Sequence, residues 1–220
     1  YQQKFTAVGC ILSFLIILVV RPHLAFMGLF TLLVVLLFSS KISFKQKTIS
    51  VASILTLLFI TFYMFLQLAE IERFDWERMQ RFNLASLRSF EGSGSFVSIE
   101  SYSYPMKLFA FYFRPFFENI DHPFYFILSI ENGLLLALTI FGLLLLIKYR
   151  SIFIKDDFAK FIVFFCLIGG ILFTQRYSGL GIFVRTKIMF LPYLGLLIIA
   201  YFHRYYKEKY KPTPENQHNE

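Results

Sequence analysis

Four arginines stand at the edges of long apolar runs: Arg21, Arg114, Arg176 and Arg185. A guanidinium is a planar fork of fixed donors that matches phosphate or carboxylate through paired hydrogen bonds. Arginines at the rim of an apolar body, with few or no acids beside them, point to an anionic ligand. Arg114 precedes Pro115, which disfavours helical geometry at Arg114 and predicts an extended, stiff corner there. Arg176 and Arg185 both lie in a predicted loop, 176–187, that holds Gly179 and Gly181, where backbone donors can also come close to an anion. The competing use of an arginine is to neutralise local carboxylates. It is the stronger reading for Arg73, Arg78 and Arg81, whose helical neighbours are Glu72, Asp75 and Glu77.

Other reactive groups are sparse. Glu131 lies inside an apolar run long enough to cross a bilayer. An ionisable group there is costly, and it marks either function or a structural hydrogen bond to another helix. In either case Glu131 is expected to face the bundle interior or a wet cavity. His23 and His122 fall at the ends of apolar runs, as a base or ligand on the one reading and as boundary residues on the other. Ser93 and Ser95 sit in a Gly-rich joint. The chain carries no Walker loop, no Gly-rich dinucleotide turn and no Cys/His metal spacing. No cofactor and no metal is therefore expected.

These groups need elements to hold them. Of 220 residues 57% are hydrophobic and 16% charged, with 30 Phe and 13 Tyr, and the mean hydropathy is +0.61. A soluble domain carries about 25% charged residues, so the class is an all-α, polytopic membrane bundle. A transmembrane β-barrel would alternate in segments of about ten residues, whereas here the apolar runs are unbroken. Six spans are predicted near 5–20, 24–38, 48–68, 124–147, 158–175 and 188–202, in one transmembrane domain over 1–211. A polar cytoplasmic tail follows over 212–220. Arg21-Pro22-His23 reads as a tight hairpin between the first two spans, and Gly169-Gly170 as a point of close helix packing. Cys10 and Cys166 fall in apolar runs, where Cys acts as a small hydrophobe. The chain begins at Tyr1 rather than Met, which raises the expectation of a piece of a longer protein.

The long segment 69–122 cannot sit wholly in lipid. It holds eight carboxylates and six basic residues, but too many aromatics for plain disorder. It divides into an amphipathic surface helix over 72–90, a flexible joint over 91–95, and an aromatic stretch over 96–117. The last is broken by Pro105 and Pro115, and it is expected to dip into the interface as a re-entrant segment.

Net charge is +8. In a membrane protein such an excess speaks first of topology, so nucleic acid is not expected as a partner. With six spans, ten of the twelve Lys fall on one face and eight of the ten Arg on the other. The Lys-rich face has the short, dense loops in which orientation bias is counted. It is expected to be cytoplasmic, with both termini there.

Several stretches together resemble integral-membrane proteins of bacterial surface-polysaccharide assembly, the O-antigen and exopolysaccharide polymerase-like group. They are RPH at 21–23, EGSGSF at 91–96 before a Tyr/Ser/Pro stretch, FRPFFEN at 113–119, SIEN at 129–132, and YSGLGIFVRTKIMFLPYL at 177–194. Members of that group usually have more than six spans, so the match would be to a C-terminal part. The resemblance implies a multi-pass protein of the bacterial inner membrane. It also implies metal-independent glycosyl transfer outside that membrane, joining repeat units carried on a polyprenyl pyrophosphate.

On that reading Arg114, Arg176 and Arg185, with Arg21 and Glu131, bind the lipid-linked oligosaccharide. The base is Glu118, His23 or His122, and the sequence does not choose among them. Implied partners are the bilayer and other proteins of polysaccharide assembly. The rival from another class is a non-enzymatic transport or assembly component, for which Glu131 and Gly169-Gly170 would suit a substrate path equally well.

Overall fold

In the computed structural model, the residues described are 2–39, 41–68, 76–91, 96–97, 99, 101–117 and 123–209. They form ten helices: α1 Gln2–Val20, α2 Pro22–Phe38, α3 Phe44–Leu68, α4 Trp76–Arg88, α5 Tyr104–Phe113, α6 Pro123–Lys148, α7 Arg150–Lys155, α8 Asp157–Arg176, α9 Leu180–Lys187 and α10 Leu191–Lys209. Among these residues the sole β pairing is an isolated bridge between Phe96 and Gly179. Prolines mark several helix starts. Pro22, Pro105, Pro123 and Pro192 each lie in a first turn, where a missing backbone N–H costs nothing. Asp156 caps α8 by accepting the backbone N–H of Ala159 at 3.1 Å.

Three helices are long and apolar enough to cross a bilayer: Phe44–Met64 of α3, Pro123–Lys148 and Asp157–Arg176. A fourth crossing is made by α9 and α10 together if the pair, bent by 49°, is one span. The remaining apolar helices, Val8–Val20 and Pro22–Phe38, are shorter. Large apolar side chains lie exposed along these elements, among them Ile16, Val19, Phe59, Leu134, Leu144 and Ile199. They offer an extended apolar surface of the kind that a bilayer or a partner protein covers.

α8 is the organising helix, with α2, α4, α5, α7 and α10 packed against it. α2 runs antiparallel to it. His23 meets Phe173 at one end, and at the other the Ser39 hydroxyl donates to Asp157 at 2.7 Å. Phe14 packs against the cluster of Leu29, Ile54 and Leu58, as it must if the chain doubles back at Arg21-Pro22-His23. Gly169 and Gly170 are what allow α8 such close neighbours. A Cβ at Gly169 would stand 2.4 Å from the Phe190 ring, and one at Gly170 2.6 Å from Leu108.

The bundle has two chemically distinct ends. At one, Asp157 takes Lys160 (2.6 Å) and Ser39, Arg204 lies 3.8 Å from Asp156, and the Tyr149 hydroxyl donates to Glu208 at 2.7 Å. The Lys41–Lys47 turn and Lys148–Lys155 border this Lys-rich end. At the other, Arg-rich end, α4 lies across the tip of α8. Phe90 packs on Tyr177, the Ser178 hydroxyl donates to the Leu87 carbonyl at 3.0 Å, and the Val97 N–H donates to the Ser178 carbonyl at 2.8 Å. Of the amphipathic surface helix expected over 72–90, Trp76–Arg88 is helical as α4, and 72–75 lie outside the described residues. Within it Glu77 and Arg81 form an exposed i,i+4 pair at 3.6 Å, a contact worth little to stability.

α5 does not lie on the surface. It starts at the Arg-rich end and descends until the Tyr112 hydroxyl donates to the Cys166 carbonyl at 2.7 Å, near the middle of α8. Ala110 and Phe111 are fully buried, and Phe111 sits among Phe173, Phe183 and Phe190. The stretch 96–117, expected to dip into the interface as a re-entrant segment, holds this helix, Tyr104–Phe113. The expected loop over 176–187 is a correction: Leu180–Lys187 is helical. The chain breaks instead at 188–190, where Met189 N–H bonds to Thr186 and Phe190 N–H to Lys187. Pro192 supplies the reason, since it cannot donate to the preceding turn and so bars one continuous helix.

Candidate functional site

The sequence-flagged residues divide into two supports and some outliers. Arg21, His23 and Arg176 come together at the Arg-rich end, where the start of α2 meets the end of α8. The His23 ring stands edge-on to Phe173 at 5.8 Å, and Phe173 stacks on Tyr177, over which the Arg176 guanidinium lies at 6.0 Å. Arg21 is exposed and reaches from the α1–α2 turn to the Met189 sulfur at 3.1 Å, in the α9–α10 break. His23 precedes the apolar run of α2. Partial removal from water, and then the charges of Arg21 and Arg176, hold its pKa below the usual imidazole value. A neutral imidazole flanked by two guanidiniums is a proton acceptor set beside a site for an anion.

Arg114 stands on the second support. It ends α5 in the extended geometry expected before proline (φ −87°, ψ 150°). Its side chain turns back along α5, so that Nη1 donates to the Tyr102 hydroxyl at 2.9 Å with the guanidinium 5.8 Å from the same ring. The next residues pass α6 without helical structure. Phe117 adopts a positive φ of 46°, which costs a bulky residue about 1–3 kcal/mol and persists only where its surroundings impose it.

Those surroundings are polar and fully buried. Ser129, Asn132 and Lys187 have no exposed surface. The Phe117 N–H donates to Ser129 Oγ at 3.2 Å, and Asn132 Nδ2 donates to the Pro115 carbonyl at 2.8 Å. Lys187 Nζ donates to Asn132 Oδ1. Asn132 lies about ten residues, or roughly 15 Å, into α6. Irregular backbone at such depth needs partners of this kind. The knot joins three of the stretches that carried the resemblance: FRPFFEN, SIEN and the RTK of the last one.

Two expectations are corrected here. Glu131 was expected to face the bundle interior or a wet cavity; it is exposed, so it does not face the interior, and the inward position belongs to Asn132. One residue along a helix turns the side chain by about 100°, so the polar signal in the fourth span was sound and its assignment one residue off. Glu131 remains close enough for its charge to act on Lys187. Lys187, counted in the sequence as an outer-face charge, is instead wholly enclosed at the end of α9. Among the described residues no carboxylate forms an ion pair with it. A cue was available: Lys187 falls between two apolar stretches just ahead of the proline that breaks the helix. Arg185, two residues earlier, lies on another face of α9 and is exposed. Glu118 and His122 lie outside the described residues, as do 92–95 and the tail 212–220.

Among the described residues no group of three His, Cys, Asp or Glu side chains could hold a metal ion. No family model, no curated protein and no solved structure matches the chain.

Proposed function

We propose that the protein is a polysaccharide polymerase-like protein of the bacterial inner membrane, acting on repeat units linked to polyprenyl pyrophosphate. In this reading six apolar helical segments cross the bilayer, with α9 and α10 sharing the last crossing. The Lys-rich end faces the cytoplasm and the Arg-rich end the extracytoplasmic side. The observation that carries the reading is the gathering of Arg21, His23 and Arg176 at the end of α8, where the C-terminal end of α4 also packs. A lipid diphosphate approaching from the bilayer would meet the Arg21 and Arg176 guanidiniums at head-group depth, and deeper in, at the inner end of α5, the Arg114 guanidinium turned back towards Tyr102. Charge-assisted, paired contacts of this type stabilise a departing diphosphate. His23 is a candidate to accept the proton of the attacking sugar hydroxyl, and Glu118 and His122 are the other candidates.

The test is the length of surface polysaccharide in cells complemented with each variant at equal membrane abundance. Arg→Lys at 114, 176 or 185 keeps charge and loses the fork, and should already shorten chains; the same change at Arg78 should be nearly silent. Unchanged chain length in Arg114→Ala, Arg176→Ala and Arg185→Ala together would refute the proposal.

A second reading, a non-enzymatic transport or assembly component, has its own support. Broken helices meeting a buried polar cluster near mid-bilayer are a common way to build a substrate path. If polymer accumulates at normal length but on the wrong side of the membrane in Lys187 and Asn132 variants, this second reading is the better one.

A further inference from the structure

We infer that Asn132 and Lys187 are positioning residues that hold segment 114–117 in its non-helical path and thereby aim Arg114. The inference rests on the proposed function only in giving Arg114 a ligand. Ser129 and Asn132 are one turn apart on α6 and grip the segment at two points, the Phe117 N–H and the Pro115 carbonyl. Phe117 could not keep its positive φ without such restraint, because an aromatic side chain in the left-handed region is unfavourable by itself. Asn132 carries a donor and an acceptor on one small group, and an amide free to flip would present its oxygen to the Pro115 oxygen. Lys187 forbids that. An ammonium only donates, so it fixes Oδ1 on its own side and leaves Nδ2 for the carbonyl. The chain of control runs from the α9–α10 break, through one amide, to the residue that follows Arg114. Arg21 touches the same break through Met189, so a shift of the break would reach both arginine supports at once.

The test reads geometry rather than activity. In full-length protein in native membranes, with Cys10 and Cys166 replaced by alanine, cysteines are introduced by Phe109→Cys and Phe116→Cys. The native rings there lie 6.1 Å apart, within reach of a short bifunctional thiol reagent. Asn132→Asp keeps a partner for Lys187 but sets an oxygen against the Pro115 carbonyl. It should lower the ratio of cross-linked to uncross-linked protein roughly threefold or more, the change in equilibrium constant that follows loss of one ordinary hydrogen bond. Lys187→Met should do the same, and Lys187→Gln, which restores an N–H donor, should recover most of the yield. A residue that merely filled space would be replaced equally well by Met and by Gln.

Parental cross-linking in both Asn132→Asp and Lys187→Met, with each variant monodisperse in detergent, would overturn the inference. So would equal yields in Lys187→Met and Lys187→Gln. If Arg114→Ala, Arg176→Ala and Arg185→Ala all leave chain length untouched while the cross-link responds as described, the functional proposal fails and the positioning role stands.

Discussion

The Lys187 ammonium and the Asn132 side-chain oxygen are hydrogen-bonded with neither residue exposed, and they join the end of α9 to α6 across 55 positions of sequence. This contact is the buried polar link between the last helical unit and the segment that follows α5. Removing either partner strands the other, which costs about 1–3 kcal/mol for an amide and more for a charge. Asn132→Leu and Lys187→Met should therefore each destabilise the protein. The double variant should lose distinctly less than their sum, since it removes both stranded groups at once. Thermal unfolding of the four proteins in one detergent checks the coupling; strict additivity would mean that the contact is absent in the folded protein.

The two adjacent glycines of α8 should respond differently to one methyl group. At Gly169 the new Cβ meets the Phe190 ring at 2.4 Å and Met27 at 2.8 Å, and Phe190 is fully buried among other rings. At Gly170 it meets first the terminal methyl of Leu108, which can rotate away. Gly169→Ala is expected to destabilise by about 1–3 kcal/mol, and Gly170→Ala by less. Reversal of that order in thermal unfolding would show that α5 is the more rigid neighbour.

His23 makes a pH-dependent contribution whose sign follows from its depressed pKa. The unfolded chain takes up this proton at about the ordinary value of 6.5, the folded chain only at lower pH. Below pH 6.5 the unfolded state therefore binds more protons, and stability falls as the solution is acidified; above it the contribution is flat. His23→Gln should lose that part of the acid sensitivity, seen as a smaller fall in melting temperature between pH 7.5 and 5.5 than in the parent. The partial exposure of His23 keeps the effect small. A larger fall in the variant would mean that the folded protein favours the charged imidazole.

Orientation in the membrane can be read with an impermeant thiol reagent on intact cells. Cysteine at Ser89, at the end of α4, should be labelled, and cysteine at Lys45 or Lys207 should be protected until the membrane is opened. The opposite pattern would invert the bundle and place Arg21, His23 and Arg176 on the cytoplasmic side.

Much of the architecture is legible in the sequence because apolar run length is a local property. Unbroken runs mark α3, α6 and α8, Pro22 marks a break, and charge interleaved with apolar residues marks α4. Gly169-Gly170 foretells close packing, since only a missing side chain lets a ring approach so near. The segregation of Lys from Arg is likewise written in the chain and reappears as the two ends of the bundle. What only the tertiary structure decides is which polar groups leave solvent. Glu131 and Asn132 look equally placed in a hydropathy profile, but they point in different directions once α6 has neighbours. Lys187 and Arg185 both read as loop cations until α9 winds one of them inward. The meeting of Pro115, Asn132 and Lys187 depends on a half-depth helix and a bent one ending at the same level of α6. No single segment specifies that, because burial is a property of the partners a residue acquires rather than of the residue.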